Sequence, residues 1–206
     1  MAEHDFETAS SEIAYIGNIL ALRVDKVKMP GGGTATREVV EHFGAVAVAA
    51  VDDEHKIAMV YQYRHPVGRR LWELPAGLLD TVGEDPHTTA ARELKEEAGL
   101  AATTWRVLVD TDSSPGFSDE SVRTYLATGL SRVDRPAAED EEADLRLEWF
   151  PLEKAVEMVL AGEVVNASAA AGVLAAHAVV IDGKPTRPVD AAWPDRPTAF
   201  ARRKGR

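Results

Sequence analysis

The segment from Asp85 to Gly99 constrains the fold of this chain more than any other, because it carries helix signals at both ends. Asp85 is a residue type that accepts the first unpaired N–H groups of a helix, and Pro86 suits the first helical position. Gly99 suits the left-handed conformation that ends many helices. The sequence therefore predicts a helix over Asp85–Ala98.

Short apolar and β-branched runs surround this helix and predict strands. The run Ala45–Val51 contains only small apolar residues, which is typical of a strand buried on both faces. Two further helices are predicted over Leu152–Ala161 and Ala167–Ile181. The remaining predicted strands cover residues 36–42, 57–63, 71–74, 105–110, 122–128 and 145–150. Interspersed strands and helices predict an α/β sandwich with a mixed sheet.

The domain organisation is predicted from changes in composition along the chain. Apolar residues alternate over Ile13–Val27 around Gly17-Asn18, which indicates a hairpin or two short strands. The run Pro30–Gly33 predicts a break, so residues 1–33 are expected to form an N-terminal β appendage. Residues 34–182 form the expected main domain, and residues 183–206 form a tail rich in proline and basic residues. Such a tail is expected to be solvated and partly packed on a neighbouring part of the molecule.

Composition excludes several functional classes. The 206 residues include no cysteine, so neither a disulfide framework nor a thiol nucleophile is possible. The net charge of −11 argues against a non-specific nucleic-acid binder, which needs a basic face. No apolar run reaches the length of about 20 residues that a membrane helix needs. The N-terminal residues are acidic and polar, unlike a signal peptide, so a cytoplasmic protein without membrane partners is expected.

Three carboxylates crowd one side of the predicted helix. At 100° per residue, Glu93 and Glu97 lie about 40° apart, and Glu96 lies about 60° from Glu93 on the other side. Like charges at this spacing repel, and the helix C-terminus disfavours negative charge. A solvated helix face is one interpretation. A site for Mg²⁺ or Mn²⁺, which prefer hard oxygen ligands, is the other. Arg92, four residues before Glu96, is placed to orient it.

The residues around these carboxylates resemble the signature of the Nudix hydrolases. Gly77 opens that signature and Glu84 supplies its first Glu. After seven intervening residues, the signature is completed by Arg92-Glu93-Leu94-Lys95-Glu96-Glu97-Ala98-Gly99-Leu100. Six residues rather than the family's five separate Gly77 from Glu84, and the extra residue falls in the loop before Asp85. The resemblance implies a Nudix-type α/β/α sandwich with a mixed sheet.

The resemblance also implies a metal-dependent cleavage of a nucleoside diphosphate that is linked to another group. Mg²⁺, with Mn²⁺ as a possible substitute, is the implied cofactor. The implied metal ligands are the carbonyl of Ala76 and the carboxylates of Glu93, Glu96 and Glu97, with Glu97 also assigned as catalytic. Glu84 matches a position that orients these ligands.

Other residues resemble the ADP-ribose pyrophosphatase branch of the family. Pro115 follows Leu100 by 15 residues, a marker of that branch, and the stretches Gln62-Tyr63-Arg64 and Leu71–Gly77 are similar to it. The implied substrate-binding residues are Arg37, Glu38, Arg64 and Leu78. Alone, Arg37 also fits an ordinary exposed strand residue.

In this branch a loop before a late strand delivers a catalytic glutamate. Residues 139–144 are acidic at five of six positions and precede the predicted strand 145–150. Glu142 is the assigned catalytic residue and completes the metal site, with Glu139 and Glu141 as alternatives. The other interpretation is an acidic surface loop.

The implied reaction is hydrolysis of ADP-ribose to AMP and ribose 5-phosphate. The alternatives are another nucleotide sugar, such as GDP-mannose or a UDP-sugar, and a non-catalytic Nudix-like sensor that binds such a ligand. An adaptor that uses the basic tail is a third alternative. Members of this branch exchange their N-terminal strands between two subunits, so a homodimer is expected, with a small nucleotide and no nucleic acid as ligand.

Overall fold

The computed structural model describes residues 4–135 and 144–205. The strands are β1 (Thr8–Ile16), β2 (Leu20–Lys28), β3 (Thr34–His42), β4 (Ala45–Ala50), β5 (Lys56–Arg64), β6 (Arg69–Glu73), β7 (Ala76–Leu78), β8 (Leu100–Asp112), β9 (Ser121–Arg132) and β10 (Arg146–Pro151). The helices are α1 (Pro86–Ala98), α2 (Leu152–Leu160), α3 (Ala167–Val180) and α4 (Ala199–Arg203), with a short 3₁₀ turn at His65–Val67. None of the described helices is both long enough and apolar enough to cross a membrane.

The chain divides into two compact units. The first comprises Met1–Gly44, Asp112–Ser121 and Asp195–Arg206, and the second comprises Ala45–Thr111 and Val122–Pro194. The composition predicts a boundary after residue 33, whereas β3 groups with the two strands before it. The expected C-terminal tail is likewise shared between the two units.

The first unit contains an antiparallel sheet in the order β1-β2-β3. The hairpin predicted over Ile13–Val27 is formed by β1 and β2. The predicted break at Pro30–Gly33 is the turn that joins β2 to β3, in which Gly32 and Gly33 have positive φ angles of 82° and 76°. A run of Pro and Gly permits a tight turn as readily as a linker, and here the pairing of β2 with β3 determines that it is a turn.

The far end of β3 is held by two other segments of the first unit. The segment 113–120, which contains Pro115, runs alongside β3: the N–H of Val40 donates to the carbonyl of Phe117 at 2.7 Å. The rings of Phe43 and Phe200 meet edge to face at 4.6 Å, and both side chains are buried. These contacts attach α4 and the Pro115 segment to the same strand.

The second unit contains two sheets. One has the order β7-β4-β9-β8, in which β4 pairs antiparallel with β7 and parallel with β9. The other is antiparallel, in the order β10-β5-β6. The expected mixed sheet is therefore confirmed.

Helices cover both faces of β4. Val46, Val48 and Ala50 belong to a buried cluster that includes Leu94 of α1. Ala47, Ala49 and Val51, whose side chains lie on the other face, belong to a cluster with residues of α2 and α3. This alternation confirms both the predicted α/β/α sandwich and the prediction that the strand is buried on both sides.

Residues 183–194 contact the second unit at several points, although most of their side chains are exposed. Val107 and Arg187 form a two-hydrogen-bond bridge between backbones. Arg123, 3% exposed, donates to the carbonyls of Ala191 and Ala192 at 2.7 and 2.9 Å. These contacts are the packed part of the expected tail, in which a buried guanidinium satisfies its donors on the tail backbone.

Candidate active site

The ends of helix α1 are fixed by the residues that the sequence indicates. One carboxylate oxygen of Asp85 accepts the N–H groups of His87 and Thr88 at 3.0 and 3.1 Å. Gly99 has a φ of 63°, and its N–H donates to the carbonyl of Lys95 at 3.0 Å. A cap such as Asp85 stabilises a helix by about 1 kcal/mol. The helix prediction is therefore confirmed, and with it the positions of the carboxylates along its length.

The packing of α1 directs two of its glutamates towards β7. Ala90 and Leu94 are fully buried in the core, and this fixes the rotation of the helix about its axis. Glu97 is 6% exposed, and its Oε2 accepts the N–H of Ala76 at 2.9 Å. A buried carboxylate on the helix thus contacts the backbone of the residue assigned as a carbonyl ligand.

Glu93 lies directly against the next residue of β7. A Cβ atom placed on Gly77 would lie 2.0 Å from Oε1 of Glu93, far inside van der Waals contact. The side chain of Glu93 therefore occupies the volume that any other residue at position 77 would need. The glycine that opens the sequence signature is required by this close approach rather than by a positive φ angle.

Arg92 is the centre of the ionic contacts around these carboxylates. Its guanidinium contacts Glu84 at 3.1 Å, Glu93 at 2.7 Å and Glu96 at 2.8 Å. Burial by itself would lower the pKa of Arg92, but the hydrogen bonds and charges of the three glutamates raise it above its ordinary value. The hydrogen bonds from Arg92 in turn lower the pKa of Glu84. The contact between Arg92 and Glu96 is the one that their four-residue spacing predicts.

These contacts explain how the helix tolerates its crowded carboxylates. The positive charge of Arg92 lies between Glu93 and Glu96, and the Ala76 N–H supplies a dipole to Glu97. A surface helix with solvated charges would leave these groups exposed, whereas Glu93 and Glu97 are 9% and 6% exposed. The arrangement favours a built site over a solvated helix face.

The donor set matches the chemistry of a hard divalent cation. Among residues 4–135 and 144–205, no three acidic or histidine side chains already form a group that would hold a metal ion. The oxygen atoms are nevertheless of the right type and adjacent: Glu93 and Glu97 lie against consecutive residues of β7, and Glu96 is joined to Glu93 through Arg92. Carboxylate and carbonyl oxygens are the ligands that Mg²⁺ and Mn²⁺ prefer.

Arg64 is held by a residue to which sequence analysis assigned no role. Its guanidinium contacts Glu73 of β6, with a shortest distance of 2.7 Å, and Gln62 donates to the same carboxylate at 3.0 Å. Glu73 is 2% exposed, whereas the side chain of Arg64 is 41% exposed. The pairing of β5 with β6 puts these residues on one face, and this register is the signal that identifies Glu73.

The other assigned residues occupy separate places. Leu78 lies at the end of β7, paired with Ala45. Arg37 and Glu38 lie on β3 in the first unit, where both are exposed. The acidic candidates Glu139, Glu141 and Glu142 lie outside the described residues.

Comparisons with known proteins identify the family to which this chain is similar. A family model described as the NUDIX domain matches residues 41–170. An ADP-ribose pyrophosphatase of Mycobacterium tuberculosis is 66% identical over 204 residues, which cover 99% of each chain. An ADP-ribose pyrophosphatase of Bacillus subtilis is 41% identical over 164 residues, covering 80% of this chain and 88% of the relative.

A solved structure described as an ADP compounds hydrolase matches with a TM-score of 0.75. It is 16% identical and covers 89% of this chain and 98% of its own, so it supports the fold. Three observations lead to one assignment: the helix with its three carboxylates, the glycine against which Glu93 packs, and the family match over residues 41–170. This chain belongs to the Nudix family of hydrolases.

Proposed function

We propose that this chain hydrolyses the pyrophosphate bond of ADP-ribose to give AMP and ribose 5-phosphate, with Mg²⁺ as cofactor. The observation that carries the proposal is the placement of Glu93 and Glu97 against Gly77 and Ala76. The identity of 66% along the whole chain to an ADP-ribose pyrophosphatase supports the choice of substrate.

The residues that would hold the cation are Glu93, Glu96, Glu97 and the carbonyl of Ala76. A bound divalent cation neutralises the charge of a pyrophosphate and polarises its phosphoryl oxygens. The chain contributes the geometry, because β7 and α1 are joined by the Ala76–Glu97 hydrogen bond. Arg92 restrains Glu93 and Glu96 by hydrogen bonds of 2.7 and 2.8 Å, and Glu84 restrains Arg92 in turn.

Arg64 would bind a phosphate of the substrate. Its planar guanidinium forms paired hydrogen bonds, and Glu73 fixes its orientation from below the surface. Its side chain is 41% exposed at the surface. Arg37, Glu38 and Leu78 are the further substrate contacts in this proposal.

Glu142 would act as the general base that takes a proton from the attacking water, with Glu139 and Glu141 as alternatives. A base must lie within hydrogen-bond distance of the water in the substrate complex. Asp144, just after these residues, forms an ion pair with Arg70 of β6. This ion pair supports the assignment by attaching the end of the acidic segment to the unit that contains α1.

We propose that this protein forms a homodimer through its N-terminal strands. In β1, eight of nine residues are exposed, including Tyr15 at 59% and Ile16 at 52%. Large apolar side chains that are exposed together mark surfaces of association. A location in the cytoplasm remains a prediction from composition.

A substrate panel tests the proposed function. Purified protein is incubated with ADP-ribose, GDP-mannose and UDP-glucose, with Mg²⁺ or with EDTA, and products are separated by ion-exchange chromatography. We expect AMP and ribose 5-phosphate from ADP-ribose with Mg²⁺ and no turnover with EDTA. Faster cleavage of GDP-mannose or UDP-glucose than of ADP-ribose would show that the other nucleotide sugar is the preferred substrate. Binding of ADP-ribose without any turnover would support the sensor alternative.

A further inference from the structure

Five residues of alternating charge lie on one face of the β1-β2-β3 sheet and on α4. We call the series Arg203, Glu41, Arg23, Asp25 and Arg37 the charge ladder. In the pairing of β2 with β3, Arg37 lies directly opposite Asp25, and Glu41 lies opposite Ala21. Residues two apart on a strand share a face, so Arg23 and Asp25 of β2 face the same side as Arg37 and Glu41 of β3.

Glu41 is the most deeply buried member of the ladder. It has no exposed surface, and its carboxylate accepts hydrogen bonds from Arg203 and from Arg23, the latter at 2.5 Å. The hydrogen bonds from Arg203 lower the pKa of Glu41 against the opposing effect of burial. A buried carboxylate is costly unless it is paired, so both arginines are needed.

Arg23 connects Glu41 to Asp25. Its Nε donates to Oδ2 of Asp25 at 2.9 Å while its Nη1 donates to Glu41. Asp25 is 4% exposed, and its other oxygen, Oδ1, has no hydrogen-bond partner among the residues that the structure describes. Asp25 is therefore a buried carboxylate with one satisfied oxygen, directly across the sheet from Arg37.

Arg37 is not paired with Asp25 although the register brings them together. Its Nη1 donates to the carbonyl of its neighbour Thr36 at 2.9 Å, and the residue is exposed. Opposed residues on paired strands have Cβ atoms about 5 Å apart, so a guanidinium reaches a carboxylate at that position. The Nη2 of Arg37 lies 4.0 Å from the Sδ of Met29, whereas Asp25 is bound by Arg23.

We infer that Arg203, at the end of α4, is a positioning residue for Arg37, acting through Glu41, Arg23 and Asp25. Because Arg203 donates hydrogen bonds to the carboxylate of Glu41, Arg23 can divide its own donors between Glu41 and Asp25. Without Arg203, Arg23 is drawn to Glu41, and Asp25 captures Arg37 by a direct ion pair. Arg37 then no longer contacts the substrate. This inference rests on the proposed function, in which Arg37 binds ADP-ribose.

The test compares KM and kcat for ADP-ribose in four variants. In Arg203→Met we expect KM to rise about tenfold, the effect of losing one hydrogen bond to a charged group, and kcat to stay within about twofold. Arg203→Lys should recover part of the lost affinity. Arg202→Met is the matched control, since Arg202 lies on the same helix and its guanidinium donates to Thr198 of its own segment.

The double variant Arg203→Met with Asp25→Asn separates positioning from a merely structural role. The neutral amide that Asp25→Asn introduces does not capture Arg37, so KM should return towards the wild-type value even though the ion pair to Glu41 is still missing. If Arg203→Met fails to fold, Arg203→Gln keeps a hydrogen-bond donor beside Glu41 but removes the positive charge, and the same rise and reversal of KM are expected.

An unchanged KM in Arg203→Met, or a raised KM that Asp25→Asn leaves raised, would overturn the inference while the proposed function stands. A wild-type protein without turnover of ADP-ribose would overturn the proposed function and the inference with it.

Discussion

The backbone N–H of Ala76 donates to Oε2 of Glu97 at 2.9 Å, so a side chain of α1 is bonded to a strand residue 21 positions earlier. This contact determines the distance between the helix and β7. With Glu93 packed on Gly77, it makes two neighbouring strand residues the floor of the candidate metal site.

Replacing Glu97 with Gln tests this role. The amide oxygen of Gln still accepts the Ala76 N–H, so we expect a melting temperature close to that of the wild type. Loss of a charged ligand should lower kcat by about 100-fold. Enzyme assays and thermal melts measure the two effects. Glu163→Gln, at an exposed position, is the control, and unchanged activity in Glu97→Gln would contradict the assignment.

Gly77→Ala should displace the side chain of Glu93, because the added Cβ would lie 2.0 Å from its Oε1. Such overpacking costs about 1–3 kcal/mol of unfolding free energy. Displacing Glu93 should also lower kcat by about 10- to 100-fold. Gly31→Ala is the matched control, since nothing lies within 4 Å of its Cβ position. Equal activity of the two variants would show that the position of Glu93 is not critical.

Glu73→Gln should affect substrate binding more than the chemical step. It removes the charge that orients Arg64, so we expect KM for ADP-ribose to rise about tenfold, with kcat changed by less than about threefold. Steady-state kinetics provide both values. Glu148→Gln, which alters an exposed carboxylate on β10, should leave both unchanged. A fall in kcat alone would show that Arg64 does not act in binding.

Arg123→Met should destabilise the second unit in a pH-dependent manner. Burial raises the pKa of Asp110, but the hydrogen bonds from Arg123 and Arg187 outweigh it and lower the pKa below its ordinary value of 3.8. The stabilisation is thus complete above 3.8 and is lost as the pH falls through the lower folded pKa. Breaking the pair should cost about 3 kcal/mol at pH 7.

Urea unfolding at about pH 7, 4.5 and 3 measures this loss. The difference between wild type and Arg123→Met should be constant from about pH 7 to 4.5 and smaller at about pH 3. Arg106→Met, at an exposed position of β8, is the control and should cost little at any pH. A difference that does not change with pH would mean that the charge of Asp110 does not contribute.

The homodimer is tested by light scattering. We expect a mass twice the 22.3 kDa of one chain. Ile16→Glu places a charge among the exposed apolar residues of β1 and should shift the protein towards the monomer, with loss of activity. Ser10→Glu, at an exposed polar position of the same strand, should remain dimeric. A fully active monomeric wild type would refute the dimer.

Local features of the site were predictable from sequence. Asp85 and Gly99 mark the ends of α1, because capping depends only on neighbouring residues along the chain. The spacing of Glu93, Glu96 and Glu97 then fixes their order around the helix. The small apolar residues of β4 likewise predict its burial, since a strand covered on both faces carries no polar side.

Long-range contacts needed the tertiary structure. The ion pair between Glu73 and Arg64 depends on the register of β5 and β6. The ion pair between Glu41 and Arg203 joins residues that are 162 positions apart in the chain. The turn at Pro30–Gly33 was interpretable as a linker until the pairing of β2 with β3 was known. Sequence alone determined the family signature and the helix that presents it, because these follow from local propensity. Only tertiary structure decided which charges meet, because packing brings distant segments together and a buried charge requires a partner.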